Sequence, residues 1–352
     1  MSSDTSSAKP LSSGLNFQLS TMMFLQYAIW GAWLPLLWTF LSGHRGFTPA
    51  EIGNMFAIGA VGAIVAPFIA GQIADRWFNT EKFLGISHIL GGILVWQLAS
   101  LETYNSFLIF SLLYSLIYSP TLSLTNSLAF HHLPDRDRDF GKIRVWGTIG
   151  WIVVGIGIGQ WLLANWSPDS KEPAKGITVE AIYDDPTTNI AKAIEANPSQ
   201  LTGILSTNLI QSAEHSAWID VLTKKKIDIP KHTVDEEEKT DFDAVQTLIE
   251  KENLDDVKTA VLAQVGKDIK GRSQAAGMAD AFKLSGLLGI VMGIFCFFLP
   301  STPPAKEEKK NAIGSALDAI RLQPLLTLFL IAVPISCVHQ FYFVHTAPFL
   351  GQ

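Results

Sequence analysis

Gly141-Lys142-Ile143-Arg144-Val145-Trp146-Gly147-Thr148-Ile149-Gly150-Trp151 carries an arginine straight into an apolar run that continues to about Ala164. A helix needs roughly 20 such residues to cross the hydrocarbon of a bilayer. Charge on a spanning helix is expensive, so it sits at an interface or faces a polar cavity. Arg144, Thr148 and Trp151 are spaced at i, i+4 and i+7, which places them on one helical face. That face suits a polar solute that tolerates aromatic contact. A plainer reading also fits, with Arg144 as a cytoplasmic anchor and Trp151 as packing. Spacing alone leaves both open.

The rest of the chain supports a membrane setting. Its 352 residues are 48% hydrophobic and only 16% charged, against roughly 25% charged in soluble domains. The mean hydropathy is +0.26. Apolar stretches run over residues 17–42, 51–74, 82–102, 104–130, 145–165, 279–299 and 322–350. These predict an all-α, multi-pass membrane protein. The short Glu102-Thr103-Tyr104-Asn105 turn suits a tight hairpin between the third and fourth spans.

Charge sets the orientation. A cytoplasmic N-terminus puts Lys9, Arg76, Lys82, Arg136, Arg138, Lys142, Arg144, Lys306, Lys309, Lys310 and Arg321 inside, and leaves Arg45 alone on the short outer turns. The positive-inside rule favours that arrangement. The organisation expected is a cytoplasmic tail over 1–16, spans one to five over 17–165, and an extracytoplasmic insertion over 166–278. A sixth span over 279–299, a cytoplasmic loop over 300–321 and a seventh span over 322–352 follow. The tail lacks the basic start, apolar core and cleavage site of a signal peptide, so the first span is expected to persist. Six spans plus one read as one repeat and the opening of a second, hence as part of a longer transporter.

The insertion is too long for an ordinary connection. Residues 166–283 hold 14 of the 26 Lys+Arg and 21 of the 32 Asp+Glu, so this block carries the acidity of the chain. Phe242, Val245, Leu248, Ile249, Leu254, Val257, Val261, Leu262 and Val265 recur at helical spacing and predict one amphipathic helix. Asp235-Glu236-Glu237-Glu238 reads as a solvated acidic run. Asp184-Asp185-Pro186 and Asn197-Pro198 read as turns or helix starts. A small, mostly helical extramembrane domain is expected. No basic patch points to nucleic acid. Cys296 and Cys337 lie in apolar stretches and read as packing residues.

Within the spans, Gln26, Trp30 and Trp33 form a polar-aromatic stripe. Pro120 frees backbone groups and can kink the fourth span around a cavity. Asn126 is costly in lipid and should face the bundle interior. His88 reads first as a buried, hydrogen-bonded histidine, with a proton relay as the sharper alternative. Gly71-Gln72-Ile73-Ala74-Asp75-Arg76 closes the second span with a small residue for close approach and an Asp/Arg pair at the helix end. No metal set, nucleophile motif or phosphate loop is present, so no enzyme, metal or cofactor is expected.

Gly71, Asp75 and Arg76 resemble the loop between the second and third spans of the major facilitator superfamily. Phe24-Leu25-Gln26, Trp30-Gly31, Trp33-Leu34, His88, Pro120-Thr121-Leu122 and, above all, Arg144 with Trp146-Gly147-Thr148-Ile149-Gly150 are similar to the bacterial nucleoside/proton symporters of that superfamily. Leu299-Pro300 and Leu317-Asp318-Ala319 fit their connection between repeats. The resemblance implies a major facilitator-type six-helix bundle plus one further span, worked by alternating access. It assigns Arg144, Thr148 and Trp151 to nucleoside contact, together with Gln340 on the seventh span, where Phe343 stands in place of the family's asparagine. Gln26 and Trp30 join them as candidate substrate residues; Gly71, Asp75, Arg76 and Pro120 are candidate gating and structural residues. His339 and His345 are candidates for proton coupling.

The function expected is therefore nucleoside import by proton symport, in a monomer of the bacterial inner membrane. The alternatives are a transporter of another small polar solute, such as a sugar, and a membrane-anchored sensor or binding protein.

Overall fold

The computed structural model describes residues 10–76, 79–234, 237–252, 254, 256–303, 322–328, 330–331, 334–335 and 338, with side chains of 63–76, 234 and 237 left aside. The chain divides into two compact units, Met1–Gly159 with Met278–Gln352, and Gln160–Gly277.

In the first unit, α1 (Ser13–Trp33) is capped by the Ser12 hydroxyl, which accepts from the Leu15 amide. A short 3₁₀ turn over Leu34–Leu36 then leads into α2 (Leu37–Gly43). The first span, expected over 17–42, contains this turn because Pro35 offers no amide to the helix ladder. α3 (Pro49–Arg76), α4 (Thr80–Leu98), α5 (Tyr104–His132) and α6 (Arg136–Asn165) follow. α5 runs through Pro120 as one helix. The Thr121 hydroxyl donates to the Tyr118 carbonyl at 2.6 Å, and Thr125 to the Thr121 carbonyl at 2.9 Å.

In the second unit, α7 (Val179–Asp184), α8 (Pro186–Ala196), α9 (Pro198–Leu201) and α10 (Thr207–Lys225) precede a β-ribbon. Its strands, β1 (Lys231–Val234) and β2 (Glu237–Thr240), are antiparallel, with Lys231 opposite Thr240. α11 (Phe242–Lys251) and α12 (Asp256–Gly277) complete the unit. α13 (Ala279–Cys296) returns the chain to the first.

Two expectations change here. The single amphipathic helix is two helices, α11 ending at Lys251 and α12 starting at Asp256. The acidic run is in part a strand: Glu238 meets Lys231 Nζ at 3.1 Å across the ribbon. Pro186 and Pro198 each sit in the first turn of a helix, and the Asp185 carboxylate caps α8 by accepting from the Thr188 amide.

The core of the second unit lies between α10 and α12. Leu209, Ile210, Ala213, Ala217, Val221 and Leu222 meet Val257, Val261, Val265 and Ile269, all buried. Truncating Leu222 should leave a cavity worth about 2–5 kcal/mol. In Leu222→Ala, hydrogen–deuterium exchange of the α10 and α12 amides should accelerate. Unchanged protection would contradict the packing.

Helix–helix packing in the first unit rests on small residues. A methyl group added to Gly92 of α4 would meet the Gly286 carbonyl of α13 at 2.7 Å; one on Gly289 would meet the Gly92 Cα at 2.9 Å. One on Gly293 would meet the Gly85 carbonyl at 2.7 Å. The two backbones therefore touch, a geometry that membrane helices reach through small side chains. Phe40, Phe107 and Phe282 fill the space beside Trp33 and are fully buried. Ile86, Leu90, Ile93 and Trp96 on α4, and Val145, Ile152, Ile156 and Leu163 on α6, point outward.

Four helical stretches among the described residues are long and apolar enough to cross a membrane: Ser13–Gly43, Tyr104–His132, Arg136–Asn165 and Asp256–Cys296. The expected span on α4 is not one of them, since its glycines and the polar Glu81, Lys82, Ser87 and His88 lower its hydropathy. Most of the expected seventh span, including Gln340 and Phe343, lies outside the described residues.

At the start of α4 the buried Glu81 carboxylate accepts from Asn79 Nδ2 at 3.0 Å, Ser301 Oγ at 3.3 Å and the Thr302 amide at 2.8 Å. The Thr80 amide donates to the Thr302 carbonyl at 3.0 Å, and His132 Nε2 lies 2.8 Å from the Thr302 hydroxyl.

Candidate functional site

α6 lies on α1 through glycines on both helices. A methyl group on Gly31 would meet the Trp151 Cα and carbonyl oxygen at 2.9 Å, and one on Gly150 would collide with the Phe24 carbonyl. Between these contacts, the Arg144 guanidinium carbon lies over the Tyr27 ring, 4.0 Å from its centroid. Gly147, three residues along α6, leaves room for this pair. A methyl group there would come within 2.5 Å of Tyr27 Cδ2 and 2.8 Å of Arg144 Nη1.

Arg144 is half-buried. Among the described residues it makes no ion pair and no hydrogen bond, and its contact is the Tyr27 face. A guanidinium presents five N–H donors in a planar fork. Attraction to a ring face holds the cation without engaging those donors. The result is a tethered cation with hydrogen-bonding capacity left over.

The structure separates the predicted residues into groups. Arg144 and Trp151 flank the glycines that meet α1, and Trp151 is half-buried. Thr148 is exposed on α6. Gln26 lies elsewhere, fully buried among α1, α4 and α5. Its Nε2 donates to Thr121 Oγ1 at 2.9 Å, and its Oε1 lies 2.8 Å from His88 Nε2. The Tyr118 hydroxyl donates to the Gln26 carbonyl at 2.5 Å. Both amide atoms of Gln26 are therefore engaged by protein groups, and in this conformation neither is offered to a solute. Gln26 instead ties three helices together.

Trp30 is half-buried, 5.9 Å from the Tyr118 ring. Trp33 packs against Phe282 at 5.2 Å and belongs to the aromatic core. His88 is buried, with Nδ1 2.8 Å from the Leu84 carbonyl. Pro120 is buried beside Thr121, the partner of Gln26. Asn126 Nδ2 donates to the Leu122 carbonyl at 2.9 Å. Gly71, Asp75 and Arg76 fall in the last turns of α3, and their side chains lie outside the described residues. Among the described residues, no group of three or more His, Cys, Asp or Glu side chains is placed to hold a metal ion.

Sequence reasoning missed Tyr27. It stands next to Gln26 in the sequence, but the Gln26–Trp30 stripe faces α4 and α5, not α6. The spacing Gly147–Gly150 on α6, with Gly31 on α1, was the available sign of a close helix pair.

The family description "Nucleoside H+ symporter" matches residues 13–171. The chain is 46% identical over 142 residues to the putative nucleoside transporter YegT of Escherichia coli (strain K12), covering 40% of this chain and 33% of that protein. It is 33% identical over 143 residues to nucleoside permease NupG of the same organism, covering 40% and 34%. Maltose permease of Geobacillus stearothermophilus is 27% identical over 139 residues, covering 40% and 35%. The chain thus spans about a third of the length of these relatives. In fold, it resembles the crystal structure of a mutant of nucleoside transporter NupG, with a TM-score of 0.54 at 17% identity, covering 96% of this chain and 58% of that one.

Proposed function

We propose that the chain, which matches the nucleoside H+ symporter family over residues 13–171, is part of a secondary transporter that imports nucleosides with protons by alternating access. The family is one of transporters, not enzymes. The reading puts the protein in the bacterial inner membrane as a monomer, N-terminus cytoplasmic, with residues 166–278 on the outer side. Arg144 carries the argument. It is a cation without a carboxylate partner among the described residues, held on the Tyr27 ring about two turns of α6 before Trp151. Its free donors suit ribose hydroxyls or a base carbonyl, and Trp151 and Trp30 offer rings on which a base can stack. Thr148 and Gln340 complete the proposed contacts; Gly71, Asp75 and Arg76 act in closure.

Uptake of radiolabelled uridine by cells producing the protein should rise above background and collapse with a protonophore. Uptake that survives the protonophore would remove proton coupling; no uptake of any nucleoside would remove the reading. The 27% identity to maltose permease favours, as the second reading, another small polar solute such as a sugar. Competition between sugars and nucleosides separates the two.

A further inference from the structure

We infer that Tyr27 is the positioning residue for Arg144, and that Gly147 is the gap that lets it act. The inference rests on the reading that Arg144 contacts the solute. A carboxylate would also hold an arginine in place, but it would occupy the donors that a solute needs. The Tyr27 face, 4.0 Å from the guanidinium carbon, restrains the cation through the ring quadrupole and engages no N–H group. The arrangement requires the ring to reach the α6 backbone. Gly147 permits this, because any β-carbon there would overlap both Tyr27 and Arg144. The site is thereby shaped for solutes rich in neutral oxygen acceptors, and its specificity depends on where Tyr27 aims the fork.

The test is equilibrium binding of radiolabelled uridine to the purified protein in nanodiscs. Tyr27→Phe, Tyr27→Leu and Gly147→Ala would be compared, with Tyr27→Leu also combined with Arg144→Gln. Phe keeps the ring face and should bind within about two-fold of the parent. Tyr27→Leu should weaken binding about 2- to 30-fold, Gly147→Ala should weaken it in the same direction, and Tyr27→Leu should add nothing in the Arg144→Gln background. Undiminished affinity in Tyr27→Leu, equal losses in Phe and Leu, or additive losses in the double variant would each overturn the inference.

Phenylglyoxal modification of Arg144, followed by peptide mass spectrometry, reads the same contact without any solute. It should be faster in Tyr27→Leu than in the parent, and unchanged in Tyr27→Phe. A parent protein that binds no uridine defeats the functional reading, and the modification rates then decide the contact. Equal rates in all three proteins would overturn it.

Discussion

Arg144→Gln is expected to weaken nucleoside binding by roughly 10- to 150-fold, the equivalent of losing about 1.5–3 kcal/mol of charged hydrogen bonding. The glutamine keeps a polar side chain of moderate length at this half-buried position but removes the cation and most of the donors. The Tyr27 ring loses its partner, while the surrounding contacts of Gly31, Gly147 and Gly150 remain. The melting transition of the purified variant should therefore stay close to that of the parent. Arg144→Lys restores the charge as a point without the planar fork, so it should recover only part of the affinity. The measurement is uridine binding at equilibrium, alongside thermal unfolding. Parent-like affinity in a well-folded Arg144→Gln protein would return Arg144 to the role of an interfacial anchor.

The second large effect concerns the seam between α4 and α13. Gly289→Leu must place a branched side chain where the Gly92 Cα and the His88 carbonyl already lie 2.9 and 3.2 Å from a bare β-carbon. The obstacle is backbone, which no rotamer change relieves. The helices have to separate, breaking contacts along Gly85, Gly92, Gly286 and Gly293. Overpacking of a well-packed core costs about 1–3 kcal/mol, and occasionally more; contact with backbone places this case at the upper end. Loss of the monodisperse peak in size-exclusion chromatography and a lowered melting temperature are the expected results. Gly157→Leu is the control, because nothing lies within 4 Å of a β-carbon there. It should behave like the parent. If the two variants melt alike, the close packing of α4 on α13 is not what holds this unit together.

Much of this was readable from residues alone, for particular reasons. An arginine entering a long apolar run has few physical options, so Arg144 drew attention before any fold was known. The two cap sites Asp185-Pro186 and Asn197-Pro198 were legible because proline in the first turn is a local rule. Elsewhere the determining information was not local. Gln26 looks like a solute ligand by spacing, and only the convergence of α4 and α5 shows that His88 and Thr121 claim its amide. The β-ribbon hid inside an acidic run because its register sets Lys231 opposite Thr240 and so brings the Lys231 ammonium to Glu238, a pairing that composition does not reveal. The helix expected over 242–265 fits one amphipathic stripe, and the break near Glu252 leaves the hydrophobic spacing on either side nearly in phase. Tyr27 was invisible because its significance depends on Gly147, 120 positions away.

The Glu81 cluster has a mechanical consequence. Ser301 and Thr302 follow the end of α13, yet they are pinned to the first turn of α4 and to the last residue of α5. The chain leaves the bundle from this stake, not from the end of its own helix. Thr302 must therefore travel with α4 and α5 as one body. The exit point of this bundle is set by three ties on Thr302, from the Glu81 carboxylate, the Thr80 amide and the His132 ring, and not by the last turn of α13.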